Sequence, residues 1–152
     1  MRGKDRLEDE DVISRAEARV AGMPWGSDLV AYLVQLLALI KPICVLLFGS
    51  AARGDWDAYS DVDVLVVSDD LPEDFFEAQR IVYEPRRGRV QPYGYTSRRV
   101  EEMVKEDNSF LRNVLADAIP LIGEGYYSKL KAFLQESSRI GGVSKEPHAP
   151  QI

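Results

Sequence analysis

The strongest constraint in this chain is a pair of strand signals separated by one short polar loop. Ile43-Cys-Val-Leu-Leu-Phe48 is an unbroken apolar run of strand length that stops at Gly49-Ser50, the pattern of a strand covered on both faces. Asp61-Val-Asp-Val-Leu-Val-Val67 then alternates, so that Asp61, Asp63, Leu65 and Val67 share one face and Val62, Val64 and Val66 the other. A fold for this chain has to bury two strands and leave two carboxylates at the entrance of the second.

The flanking segments supply helices. Ser27 and Asp28 are candidate caps for a helix on which Leu29, Leu33, Leu36, Leu37 and Ile40 recur along one face, and Pro42 ends it. Pro72–Val82 has helical composition with Phe75, Phe76, Gln79 and Val82 on one side, and Pro85-Arg-Arg-Gly88 turns the chain into a third strand, Arg89–Tyr95. Thr96 or Ser97 is placed to cap a helix reaching about Lys105, and Asn108 or Ser109 another with Leu111, Val114, Leu115 and Ala118 along its face. Pro120–Gly123 has the length of an edge strand, and Tyr126–Gln135 reads as a last amphipathic helix.

The fold class expected is α/β (α+β): a short mixed or antiparallel sheet of three or four strands, helices against one face, and the Gly-Ser loop at the edge of an open cleft. A chain of 152 residues has room for one domain, bounded here at residues 27–138. Residues 1–26 form a charged N-terminal helix or extension, and residues 139–152, dominated by Ser, Gly, Pro and Lys, are expected to be a disordered tail.

Composition narrows the chemistry. The single cysteine, Cys44, lies inside the first strand signal, so no internal disulfide forms and a buried, reduced thiol is expected. The single histidine, His148, stands in the tail, which argues against histidine-rich zinc sites and Ser-His-Asp triads. Chemistry must therefore run on carboxylates. A net charge of −6 argues against nucleic acid as a partner of the whole molecule and for a small nucleotide or a protein. No apolar run approaches the roughly 20 residues that cross a bilayer, and the charged N-terminus lacks the apolar centre of a signal peptide. The expectation is a soluble, cytoplasmic protein with no membrane partner, in which homo-oligomers are allowed.

The informative stretch is Phe48-Gly-Ser-Ala-Ala-Arg-Gly54, then Ser60-Asp-Val-Asp63, with the ten residues 51 to 60 between Ser50 and Asp61. A glycine directly after a buried strand lets a phosphate approach backbone N–H groups, and Ser50 adds a hydroxyl donor beside them. Two aspartates separated by one strand residue point the same way, roughly 6–7 Å apart along the chain, so their oxygens can converge on hard cations such as Mg2+. Arg53 is a candidate for neutralising phosphate charge, with a fold-stabilising ion pair as the plain alternative. Arg80, Arg86, Arg87, Arg89, Arg98 and Arg99 concentrate basic charge, either as solvated surface or as a rim that guides a triphosphate or an acidic partner.

Gly-Ser, ten residues and Asp-x-Asp resemble the signature of the DNA polymerase beta-like nucleotidyltransferase superfamily. The resemblance is nearest its minimal members (MNT), small prokaryotic proteins often encoded beside a helical partner of the HEPN type, and it covers about residues 27 to 123. It implies a polymerase-beta-like nucleotidyltransferase fold and a nucleoside triphosphate as substrate. It implies that Asp61 and Asp63 bind two Mg2+ ions and are the catalytic carboxylates, while Gly49 and Ser50 contact the β- and γ-phosphates. The activity implied is transfer of a nucleoside monophosphate to a hydroxyl of a protein or small molecule. The family usually carries a third carboxylate on the next strand, and the aligned position here is Gln91, which cannot act as a base. Glu84 stands in for it only if the third strand runs differently. Gln91 thus separates an active transferase from a catalytically impaired domain that acts as a nucleotide-binding or antitoxin-type partner of a HEPN-like protein.

Overall fold

The structure is a computed structural model describing residues 2–145, with side-chain surroundings given for residues 8–136. Two helices, α1 (Arg2–Arg19) and α2 (Gly26–Leu39), precede the first strand, β1 (Cys44–Phe48). A single helical turn, α3 (Ser50–Arg53), leads to β2 (Val62–Val67), and α4 (Phe75–Tyr83) connects it to β3 (Val90–Tyr95). Helices α5 (Ser97–Lys105) and α6 (Ser109–Asp117) follow, then β4 (Ile119–Ile122) and α7 (Glu124–Lys145).

The four strands form one mixed sheet in the order β3-β2-β1-β4. β1 runs antiparallel to both β2 and β4, whereas β2 and β3 are parallel, an arrangement that requires the α4 crossover between them. The register pairs Phe48 with Asp63 and Asp63 with Gln91. The end of β1 and the starts of β2 and β3 therefore meet at one end of the sheet.

Helices cover both faces of the sheet, which corrects the expectation of cover on one. On one face Val45, Leu47, Val62, Val64 and Val66 pack with Leu29, Leu33 and Leu36 of α2 and with Ala78 and Val82 of α4. On the other, Cys44, Leu46, Phe48, Leu65 and Val67 pack with α5, α6 and α7 through Val100, Leu111, Leu115 and Leu130. The physical reason lies in the central strands: all of β1 and all of β2 except Asp63 are buried. Leu65 and Val67, on the face that begins with two acids, need apolar cover of their own. Burial pushes the Cys44 thiol up to about 12, so it is an inert packing group.

Helix ends follow local chemistry where a cap is present. The Thr96 hydroxyl accepts from the Arg99 N–H at 3.2 Å, and the Asn108 carboxamide from the Leu111 N–H at 3.0 Å. Helix α2 differs: it starts at Gly26 with Trp25 before it and no side-chain cap, so neither Ser27 nor Asp28 caps it. A Cβ at Gly26 would lie 2.6 Å from the Val20 carbonyl oxygen, so a glycine is needed for this close turn. On α4 the buried side is Ala78 and Val82, while Phe75 and Phe76 are 43% and 80% exposed, against the expected Phe75-Phe76-Gln79-Val82 face.

The N-terminal segment, expected as a charged helix or extension, is a helix that belongs to the core: Ala16 of α1 and Val20 in the turn after it are buried in the cluster formed with α2 and the sheet. Helix α7 continues ten residues past Gln135, through the first part of the expected tail. Residues 146–152 of that tail lie outside the described residues. Among the described residues, no helix is long and apolar enough to cross a membrane.

Candidate active site

Gly49 leaves β1 in a conformation essentially reserved for glycine, φ 75° and ψ −153°. Its carbonyl accepts from the Ala52 and Arg53 N–H groups at 3.1 and 3.0 Å, which winds α3 directly after the strand. A Cβ at position 49 would come within 2.7 Å of the Asp63 Oδ2. The Gly49 backbone and the Asp63 carboxylate therefore lie side by side, with no room between them for a side chain at position 49.

The loop after α3 is stiffened by its own polar groups. The Tyr59 N–H donates to the Asp57 carboxylate at 2.8 Å and the Asp57 N–H to the Ser60 hydroxyl at 2.9 Å, an Asx-type turn that delivers the chain to Asp61. Trp56 meets the Trp25 ring edge-on at 6.4 Å, tying this loop to the start of α2. Asp61 is exposed just before β2, and Asp63 is half-buried within it. Burial first, then the charge of Asp61, push the Asp63 carboxyl above its ordinary value, and Arg53 opposes them. A half-buried acid beside a second acid is poised for a cation, because a positive charge relieves both causes.

Gln91 lies beside Asp63 on the parallel strand and is likewise half-buried, so its carboxamide belongs to the same face. Glu84 instead occupies the C-terminal end of α4. Among the described residues no group of three or more Asp, Glu, His or Cys side chains is positioned to hold a metal. Two carboxylates and one neutral amide oxygen are still a donor set of hard oxygens, the kind magnesium takes when phosphates and water complete its shell.

Arg53 is engaged: its guanidinium lies 3.2 Å from the Asp55 carboxylate and 3.8 Å from that of Asp117. This ties the loop to the end of α6 while leaving Arg53 close enough to act on Asp63. Tyr93 packs on Phe48 and Phe110 with centroids 5.7 and 5.5 Å away. Its hydroxyl is pushed upward by burial first and then by Asp63 and Asp61, so it forms the floor beside the acids. Tyr95 is held by Phe75 and Phe110 farther along the strand, where a cavity of about 250 Å³ opens between Phe75, Tyr95, Arg99 and Phe110. Neither aspartate lines that cavity.

A mixed sheet that presents a glycine-led loop and an Asp-x-Asp pair at one end is the arrangement that the resemblance to nucleotidyltransferases implies. The sequence model of the nucleotidyltransferase domain family matches residues 32–119, and the chain belongs to that family. Over 38 residues it is 53% identical to a Methanocaldococcus jannaschii protein named "Putative protein adenylyltransferase", a match covering 25% of this chain and 37% of that protein. Two solved structures are similar at low identity. One is described as a putative nucleotidyltransferase from Sulfolobus solfataricus, with 18% identity, TM-score 0.42, and coverage of 76% of this chain and 84% of the other. The second is described as a toxin-antitoxin with AMP-PNP, with 17% identity, TM-score 0.45, and coverage of 75% and 87%.

Proposed function

We propose that the cleft binds a nucleoside triphosphate with Mg2+ and transfers the nucleoside monophosphate to a hydroxyl of a protein or small molecule. The observation that carries this reading is the close approach of the Gly49 backbone to the Asp63 carboxylate, which a cation would relieve of burial and of the charge of Asp61. Asp61 and Asp63 would hold the ion, while the Gly49 backbone and the Ser50 hydroxyl receive the β- and γ-phosphates. When bound, magnesium neutralises triphosphate charge and lowers the pKa of a coordinated hydroxyl. The acceptor hydroxyl gives its proton to water as its oxygen bonds to the α-phosphorus and the bond to the bridging oxygen breaks, and pyrophosphate leaves with that electron pair. The name of the M. jannaschii relative directs the first assays to protein hydroxyls.

Replacing Asp61 and Asp63 together by Asn should abolish magnesium-dependent triphosphate binding in titration calorimetry and leave the circular dichroism spectrum intact. Unchanged affinity would sink the metal assignment.

One observation favours a second reading, a catalytically impaired domain that binds nucleotide as the antitoxin-type partner of a helical HEPN-like protein. Gln91 stands in direct register with Asp63, where a carboxylate would complete the donor set and a carboxamide adds no charge and accepts no proton. Gln91→Glu decides between them. If only the base is missing, transfer from a labelled triphosphate should rise toward the roughly 10²- to 10⁴-fold that a general base contributes. A parent already as fast as the variant would place the third acid elsewhere.

A further inference from the structure

Arginines in this protein fall into two groups. Among the described side chains Arg15, Arg19, Arg53, Arg98, Arg99 and Arg112 each pair with a carboxylate. Arg80, Arg86, Arg87 and Arg89 are exposed, and none has a described carboxylate oxygen within 4.0 Å. Asp28 and Glu84 flank this segment without closing an ion pair to it; the Asp28 carboxylate sits instead against the backbone of Gly88. In a chain of net charge −6, the described arginines without a carboxylate partner are thus gathered in one stretch, the end of α4 and the loop into β3, whereas the described lysines without one, Lys41, Lys105, Lys129 and Lys131, are scattered over other elements.

That loop lies beside the candidate site. The Arg89 carbonyl accepts from the Val62 N–H at 2.8 Å, which fixes Arg89 next to Asp61 across the parallel pair. Two arginines are also interleaved with exposed aromatic rings. The Arg86 guanidinium stands 4.6 Å over Tyr83 and that of Arg89 5.6 Å over Tyr59, whose ring is 82% exposed. An acidic peptide would need the charges alone. Cations alternating with accessible tyrosines suit a ligand with regularly spaced anions and planar groups between them.

We propose that Arg86, Arg87 and Arg89, with Tyr59 and Tyr83, bind single-stranded nucleic acid along the rim beside Asp61. The net charge of the whole molecule argues against this ligand, and Asp28, Asp57 and Asp61 border the rim, but a phosphate seated on the arginines is screened from charges beyond about a Debye length, ~8–10 Å at ordinary salt. The inference rests on this rim and not on catalysis in the cleft. It is tested without triphosphate or magnesium, so its failure and that of the transfer reading are distinguishable.

The probe is a fluorescein-labelled single-stranded RNA of mixed sequence, about 12 nucleotides long to span the rim, followed by anisotropy at several salt concentrations. With one phosphate per arginine, the slope of log affinity against log salt should be near −2, or roughly 20-fold weaker binding between about 50 and about 200 mM salt. R86Q/R87Q/R89Q should remove that slope and most of the binding, with an unchanged melting curve because all three side chains are exposed. Tyr59→Ala should weaken binding roughly tenfold through lost stacking, with the salt slope retained. Absence of binding by the parent at low salt, or equal binding by the triple variant, overturns the proposal. Displacement of the RNA by polyglutamate at equal charge concentration also overturns it, in favour of an acidic protein segment.

Discussion

Asp63 is half-buried near the start of β2, and its carboxyl is raised by burial and by Asp61. Because the folded value exceeds the unfolded one, the folded chain keeps this proton to higher pH. The contribution to stability is fully present below the ordinary carboxylate value and is lost as pH rises through the raised one. At neutral pH the ionised side chain is therefore a net cost, which a bound cation would offset. Asp63→Asn should raise the thermal midpoint at neutral pH, by less than the ~4 °C that 1 kcal/mol gives a chain of this size. The gain should disappear below about pH 3.9, where the parent carboxyl is protonated in both states. A melting series across pH checks it, and an Asn variant less stable at neutral pH would contradict the assigned cost. Neighbouring Gly49 follows a related logic, since its backbone angles and the 2.7 Å at which a Cβ would meet the Asp63 Oδ2 leave no space for a side chain.

Strand β3 is an edge of the sheet, and edges invite pairing with other chains. Here the Gln79 carboxamide acts as a short substitute strand: its Nε2 donates to the Pro92 carbonyl at 2.6 Å and its Oε1 accepts from the Gly94 N–H at 3.2 Å. Pro92 has no N–H to lose, which is why the edge tolerates it. This pairing also explains the orientation of α4. Gln79 turns toward β3, a Cβ at Gly94 would crowd Val82 at 2.9 Å, and Phe76 is left in solvent. Gln79→Ala should cost about 1–3 kcal/mol by leaving two backbone groups unpaired, read from urea unfolding, and should increase self-association in light scattering. Gln79→Glu keeps the acceptor and loses the donor, so it should recover part of the stability. Equal stability of all three proteins would show that water serves the edge as well.

At the scale of the whole molecule, α1 and the core are one unit. Ala16 and Val20 are 1% and 4% exposed and pack in the cluster that holds Leu29, Leu33 and Leu36. Burying an apolar side chain contributes about 1.5–3 kcal/mol, so a chain beginning at Ser27 should lose more than about 3 kcal/mol and unfold at clearly lower urea. An unchanged midpoint would mean that α1 is merely appended. The sequence hid this role because residues 5–20 are mostly charged, and the few apolar positions of such a helix identify a buried stripe only when a partner surface is known. By itself the sequence determined what depends on neighbours along the chain. It marked β1 and β2 by their apolar and alternating runs, the two cap sites as Thr96 or Ser97 and Asn108 or Ser109, and Gly49, Ser50, Asp61 and Asp63 by motif spacing; the structure chose Thr96 and Asn108. Only the tertiary structure decided which groups from distant segments meet: helices on both faces, Gln91 beside Asp63, Arg53 held by Asp117, Gln79 on the edge of β3, and Arg89 beside Asp61. Those contacts join residues up to several tens of positions apart. Sheet order and register bring them together, and no local propensity encodes either.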